Sequence, residues 1–126
     1  MSSKIESNKM ILLSPYGTKV HKSWLSQLQQ TSAKYDKDET FRLYDKLKYE
    51  ENWNSLMEII SNIEKDGFGF TIESTPTTCD MKICDSVGDS IVINNMRDLA
   101  GNIDKKMMVW DLIIDFITYM KNTNKY

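Results

Sequence analysis

His21 is the residue best suited to proton transfer, because it is the chain's one histidine and a histidine ordinarily titrates near neutral pH. Lys19 and Lys22 lie beside it on a segment with helical spacing. No G-x-S-x-G turn or comparable motif supplies a nucleophile for such a base. We therefore predict a structural histidine and no enzymatic activity. Catalysis through His21, with a serine or cysteine nucleophile, is the alternative that remains open.

Carboxylates and thiols could bind a metal ion, but their spacing favours other roles. Asp80, Asp85 and Asp89 bracket a hairpin without the D-x-D-x-D-G order of a calcium loop, and turns favour aspartate for backbone reasons. Cys79 and Cys84 have no second cysteine pair, so a zinc site lacks ligands. The sequence predicts no metal and no cofactor.

The G-x-G in residues 66–70 could suggest a phosphate-binding loop. It follows a helical pattern and enters a strand, whereas phosphate loops leave a strand and open a helix. We expect Gly67 to end the helix and Gly69 to allow a close backbone approach.

The two cysteines also bear on the compartment. Their odd spacing on an extended segment points the side chains to opposite faces, which predicts unpaired thiols in a reducing environment. The apolar run at residues 10–13 is too short for a signal peptide, and no stretch approaches the roughly 20 apolar residues of a membrane span. We expect a soluble, cytoplasmic protein.

Charge is unevenly distributed along the 126 residues, although the net charge is only −2. Residues 1–37 carry six lysines against two acids, or +4; residues 38–80 carry ten acids against four basic residues, or −6. An acidic middle argues against nucleic-acid binding there and permits a basic protein partner.

The length of the chain and its pattern of predicted helices and strands indicate one α+β domain over residues 10–126, preceded by a flexible N-terminus at residues 1–9. Lys9–Ser14 is predicted to be a short buried strand and Thr18–Lys34 a helix with Thr18 as its N-cap. From Phe41 to Lys65, apolar residues recur at helical intervals, as one bent helix or two consecutive ones.

From residue 68 the period changes to two, which predicts a three-stranded antiparallel meander over residues 68–94. A final helix, from about Asp104 to Lys121, is apolar on most sides. Such a helix lies in the core, packed on the sheet, or leaves a stripe for another chain. We favour the core position; a homodimer through this C-terminal helix is the alternative.

Residues 49–58 are the segment most suggestive of a binding surface. On a helix, apolar residues would face inward and acceptors outward. The inward set is Trp53, Leu56, Ile59 and Ile60, and the outward set is Glu50, Glu51, Asn54 and Glu58. The outward set forms a row of acceptors suited to a pocket rich in lysine or arginine. An ordinary solvated helix face is the structural alternative.

The same segment resembles the second-helix motif of barstar-type inhibitors, small proteins that block a secreted ribonuclease in the cell that makes it. The residues that match in type are Tyr49, Asn52, Trp53, Ser55, Leu56 and Glu58. Asn54 stands where the family has aspartate, and Glu50 where it has glycine.

The resemblance implies that Asn52, Asn54, Met57 and Glu58 occupy toxin-contacting positions, with Trp53 and Leu56 as buried anchors. After Ile72 the predicted order of elements departs from that family, since a hairpin and a terminal helix follow here. The likeness therefore concerns the interaction and not the fold.

Together these observations predict a non-enzymatic protein that binds another protein, as an immunity protein or inhibitor that occludes the active site of a basic toxin or nuclease. The partner-binding residues would be Glu50, Glu51, Asn52, Asn54, Met57 and Glu58. The alternative is a phage or viral accessory protein that binds a host defence or signalling protein, in which case the chain could be a homodimer.

Overall fold

The computed structural model describes residues 2–31 and 44–124, which form a three-stranded antiparallel sheet with helices. The helices are α1 (Ser2–Leu13), α2 (Lys19–Thr31), a short 3-10 turn (Tyr49–Glu51), α3 (Trp53–Lys65) and α4 (Lys105–Asn122). The strands are β1 (Gly69–Ser74), β2 (Thr78–Cys84) and β3 (Ser90–Arg97). This is the predicted α+β class.

The first element is a helix, so the strand predicted at Lys9–Ser14 is wrong. A short apolar run does not distinguish a helix from a strand. The helix places Asn8, Ile11 and Leu12 together on its buried side, at intervals of three and four residues. Residues 2–9, expected to be a flexible N-terminus, are the first turns of α1.

Helix α2 begins where predicted, directly after Thr18, whose carbonyl oxygen accepts the Lys22 amide at 3.0 Å. The predicted continuation over residues 32–34 lies outside the described residues.

The helical stretch predicted from Phe41 to Lys65 is interrupted, and residues 41–43 lie outside the described part. Residues 44–46 are helical, after which Lys48 takes a left-handed conformation with φ of 45°. The 3-10 turn follows, and Asn52 caps α3 by accepting the Ser55 amide at 3.1 Å. Gly67, with φ of 98°, ends the helix as predicted.

The meander is confirmed, with strand order β1-β2-β3 and both pairs antiparallel. Along β2, Cys79, Met81 and Ile83 are buried, and the residues between them are half-buried. The two thiols, both unpaired, therefore point to opposite faces as predicted. The approach at Gly69 is also close, since a Cβ there would lie 3.0 Å from the Cys84 sulfur.

Helix α4 lies in the core, as the favoured prediction stated. It contacts α1, α3, the 3-10 turn, β2 and β3. Its buried residues are Met108, Val109, Trp110, Leu112, Ile113, Phe116, Ile117 and Met120. Within the described ranges, no helix has the length and hydrophobicity needed to cross a membrane.

Candidate protein-binding site

The acidic segment at residues 49–58 is not one continuous helix face. The 3-10 turn holds Tyr49, Glu50 and Glu51, and α3 begins only at Trp53. Asn52 joins the two in an extended conformation. Because this break changes the direction of the chain, the side chains before and after it do not follow one helical period.

Glu50 is buried, so the prediction that it faces outward is wrong. Its side chain is 7% exposed, and its Oε1 accepts a hydrogen bond from Asn8 Nδ2 at 3.0 Å. The Asn8 Oδ1 in turn accepts from Trp110 Nε1 at 2.8 Å. Glu50 therefore ties the 3-10 turn to α1 and α4, and its carboxylate does not face a partner.

Two further predicted contact residues hold the fold together. Asn52 is exposed, but its side chain caps α3. Glu58 Oε2 accepts from the backbone amide of Lys19, the first residue of α2, at 2.8 Å. A carboxylate at a helix N-terminus satisfies an amide that lacks an intrahelical partner and interacts favourably with the helix dipole.

The remaining predicted residues differ in exposure. Glu51 and Asn54 are exposed, whereas Met57 is half-buried and packs against the core. Leu56, Ile59 and Ile60 are buried, as predicted.

Trp53 was expected to be buried, and this is wrong because its side chain is 39% exposed. Helix α3 begins at Trp53, so no preceding turn of the helix lies beneath the indole.

Helix α2 adjoins this segment through His21. The imidazole makes edge-on contacts with Tyr49, at 5.1 Å between ring centroids, and with Trp24, at 5.0 Å. The bond between Glu58 and the Lys19 amide joins the same two regions. The first turns of α2 are thus fixed beside the 3-10 turn and α3.

These adjoining turns expose further apolar side chains on α2. Val20 and Trp24 are 55% and 42% exposed. Sequence reasoning missed them, because apolar residues at helical spacing are typical of the buried face of a helix. We refer to Val20, Trp24, Glu51, Trp53 and Asn54 as the tryptophan surface.

His21 occupies a buried polar cluster. Its Nδ1 lies 2.5 Å from Thr18 Oγ1, which lies 3.3 Å from the Tyr49 hydroxyl. Burial lowers the pKa of His21, and the nearby Glu58 carboxylate partly offsets this by raising it. Burial raises the pKa of Tyr49, because the charged form of tyrosine is the deprotonated one. Thr18 and His21 are both buried, and their contacts join α2 to Tyr49.

Of the three aspartates considered as metal ligands, Asp85 and Asp89 lie in the turn of the second hairpin, which Asp85 stabilises. Asp85 Oδ1 accepts the Val87 and Asp89 amides at 3.0 and 2.9 Å, whereas Asp80 lies within β2. In the part of the chain that the structure describes, no three side chains of histidine, cysteine, aspartate or glutamate come together as metal ligands.

The apolar side of α4 is already covered by the chain itself. Trp110, on the C-terminal helix through which a homodimer was the alternative, is 6% exposed. The large apolar side chains that are exposed lie elsewhere, on α1, α2, α3, the sheet and its loops.

Comparison with family models, with curated proteins and with solved structures finds no match for this chain. The resemblance of residues 49–58 to barstar-type inhibitors stays a prediction.

Proposed function

We propose that this chain acts by binding a basic protein through the tryptophan surface, as an inhibitor or immunity protein of a toxin or nuclease. The observation that carries the proposal is the exposure of Trp24 and Trp53 on adjoining helices, beside the polar side chains of Glu51 and Asn54.

Tryptophan supports a binding role for physical reasons. An indole offers a large rigid surface, so it contributes strongly when a partner covers it, and tryptophan is enriched among the residues that dominate interface energies. The third tryptophan, Trp110, is buried and makes a hydrogen bond, so the chain is able to bury an indole elsewhere. Two exposed indoles on α2 and α3, which are joined by the hydrogen bond from the Lys19 amide to Glu58 Oε2, support a binding surface.

Charge supports a basic partner. The chain between residues 38 and 80 has a net charge of −6, to which the buried Glu50 contributes, and Glu51 is the exposed acid of the tryptophan surface. An acidic surface attracts a basic protein over distances of about 8–10 Å at physiological salt. Active sites that bind polyanionic substrates are basic, so a nuclease fits this charge.

The resemblance to barstar-type inhibitors also supports this region as the contact site, but only some of the contact residues that it implies are exposed. Asn52 and Asn54 are exposed at two of the implied contact positions. Glu58 already accepts from the Lys19 amide, and Glu50 is buried. The proposed contact therefore centres on Trp53 and Asn54, with Trp24 from α2.

The test is to isolate the partner with the tagged full chain and to measure its affinity for variants by calorimetry. Trp53→Ala removes the indole and is expected to weaken binding by about thirtyfold or more, as for a central interface residue. Glu51→Lys should weaken binding of a basic partner further at low salt. Glu64→Lys, the same charge change at an exposed position at the far end of α3, is the matched control and should have little effect.

Three outcomes would contradict the proposal. Affinity unchanged by both Trp24→Ala and Trp53→Ala would exclude the tryptophan surface. Equal loss for Glu51→Lys and Glu64→Lys would indicate a general charge effect. A partner that is a host defence or signalling protein and not a toxin or nuclease would support the accessory-protein alternative.

A further inference from the structure

His21 is a buried titratable group in contact with one of the two tryptophans of the tryptophan surface. Its imidazole meets the Trp24 indole edge-on, with ring centroids 5.0 Å apart and the two planes at 85°. It makes a second edge-on contact with Tyr49 of the 3-10 turn, at 5.1 Å. The imidazole is 9% exposed, whereas Trp24 is 42% exposed. A protein that covers Trp24 therefore comes close to His21.

The hydrogen bonds of the imidazole are compatible with both of its protonation states. Thr18 Oγ1 lies 2.5 Å from His21 Nδ1 and 3.3 Å from the Tyr49 hydroxyl. A hydroxyl donates as well as accepts, so Thr18 is able to donate to a neutral imidazole or to accept from a charged one. Protonation of His21 therefore changes the charge of the cluster and does not require the loss of this hydrogen bond.

The titratable groups that face His21 come from the 3-10 turn and from α3. Burial raises the pKa of Tyr49, so its hydroxyl is neutral, and the facing charge is that of Glu58. Glu58 is held in place by the Lys19 amide at 2.8 Å. Lys22, the next residue on α2, donates from Nζ to a carbonyl at the end of α1 at 2.7 Å. The carboxylate of Glu58 offsets only part of the effect of burial on the pKa of His21, which is lowered.

A basic protein that covers Trp24 changes the surroundings of His21 in two ways. It removes water from the neighbourhood of the imidazole, which disfavours the charged form. It also brings positive charge close to the imidazole, which repels the imidazolium ion. Both effects act in the same direction, so the complex favours the neutral imidazole more strongly than the free chain does.

We infer that binding at the tryptophan surface is coupled to the protonation of His21: the partner binds the chain with a neutral imidazole, and binding to the charged form releases the proton to solvent. This inference rests on the proposed function, because it requires that a basic protein covers Trp24. By linkage, the affinity decreases as the pH falls through the titration of the free imidazole. A single group releases one proton at most, so the decrease is limited to about tenfold per pH unit.

The first test uses the chain without a partner. In NMR spectra recorded as a function of pH, the indole N–H resonance of Trp24 should shift with the same midpoint as the imidazole, because the two rings are in contact. Trp24→Phe identifies the resonance. In His21→Gln, whose side chain stays neutral, the resonance of Trp24 should no longer shift. A Trp24 resonance that does not follow the imidazole of the wild-type chain would overturn the inference.

The second test places a charge on the tryptophan surface itself. Val20 belongs to this surface, is 55% exposed and directly precedes His21. Val20→Lys, which imitates the charge of a basic partner, should lower the midpoint of the imidazole, and Val20→Glu should raise it. Each shift should be about 0.2–0.4 pH unit at low salt. Glu64→Lys, near the C-terminal end of α3, is the control and should leave the midpoint unchanged. A midpoint that responds to neither change at Val20 would overturn the inference.

The third test uses the partner isolated with the tagged chain. Calorimetry in two buffers of different ionisation enthalpy measures the protons released on binding. At the midpoint of the free imidazole, the wild-type chain should release up to about one half of a proton more than His21→Gln. The titrating groups of the partner contribute equally to both measurements, so the difference belongs to His21. Equal release from the two chains, or a net uptake by the wild-type chain relative to His21→Gln, would overturn the inference.

The inference and the proposed function fail in different ways. An affinity that neither Trp24→Ala nor Trp53→Ala changes would exclude the tryptophan surface and, with it, the coupling. If both changes weaken binding but the affinities of the wild-type chain and of His21→Gln keep a constant ratio at every pH, the surface is correct and the coupling to His21 is wrong.

Discussion

The Asn8 side chain donates from Nδ2 to Glu50 Oε1 at 3.0 Å, across 42 positions of the chain. Its Oδ1 accepts from Trp110 Nε1 at 2.8 Å. All three side chains are buried, so one amide satisfies a carboxylate and an indole that have lost their hydration. The N-terminal helix is thereby bonded to the 3-10 turn and to the central helix α4.

Asn8→Ala is expected to lower the free energy of unfolding by about 2–4 kcal/mol, because it leaves the buried Glu50 carboxylate and the Trp110 N–H without partners. Urea unfolding followed by tryptophan fluorescence measures this difference. Asn54→Ala, at an exposed position on α3, is the control and should change stability by no more than about 0.5 kcal/mol. A loss below about 1 kcal/mol for Asn8→Ala would show that the network contributes little.

His21 should titrate below its usual value of 6.5, because burial lowers its pKa more than Glu58 raises it. The unfolded chain then binds more protons than the folded chain as the pH falls below 6.5, so stability decreases toward acid through this group. NMR of the single imidazole gives the midpoint directly. Unfolding of His21→Gln should lose this part of the pH dependence; a midpoint at or above 6.5 would contradict the buried environment.

Glu58→Gln should have two linked effects. Loss of the carboxylate at the N-terminus of α2 should lower stability by about 0.5–1 kcal/mol. The pKa of His21 should also fall further, because Glu58 is the group that raises it. Glu64→Gln is the control: Glu64 lies near the C-terminal end of α3, the helix that carries Glu58, and its change should leave the titration of the imidazole unchanged. An unchanged titration midpoint of His21 in Glu58→Gln would contradict the electrostatic effect of Glu58 on the imidazole.

The sequence was sufficient for the elements with a clear period. Apolar and polar residues alternate along residues 79–83, which predicts β2 and its buried face. Helix α4 has apolar residues on most of its sides, which predicts its position in the core. Gly67 marks the end of α3 because its positive φ suits glycine. Each of these follows from residues close together in the chain.

The errors arose where long-range contacts decide the outcome. The apolar run at residues 10–13 is the end of helix α1, and Asn8 on the same helix bonds to the distant residues Glu50 and Trp110. The same distant contacts bury Glu50, which local periodicity had placed outward. Trp53 is exposed because the helix begins at that residue and not before it. No pattern within a single segment contains this information.

Cys84 should react with a thiol reagent at least about a hundredfold faster than Cys79, because the buried thiol reacts only when the structure opens. Cys79 lies in the core on one face of β2, and Cys84 is half-buried on the other face, with its sulfur 3.6 Å from the Gly69 carbonyl. Brief alkylation of the wild-type chain followed by peptide mass spectrometry measures both rates at once. In strong denaturant the two rates should become similar, which is the internal control. Equal rates in the folded chain would mean that Cys79 is accessible and would contradict its burial in the core.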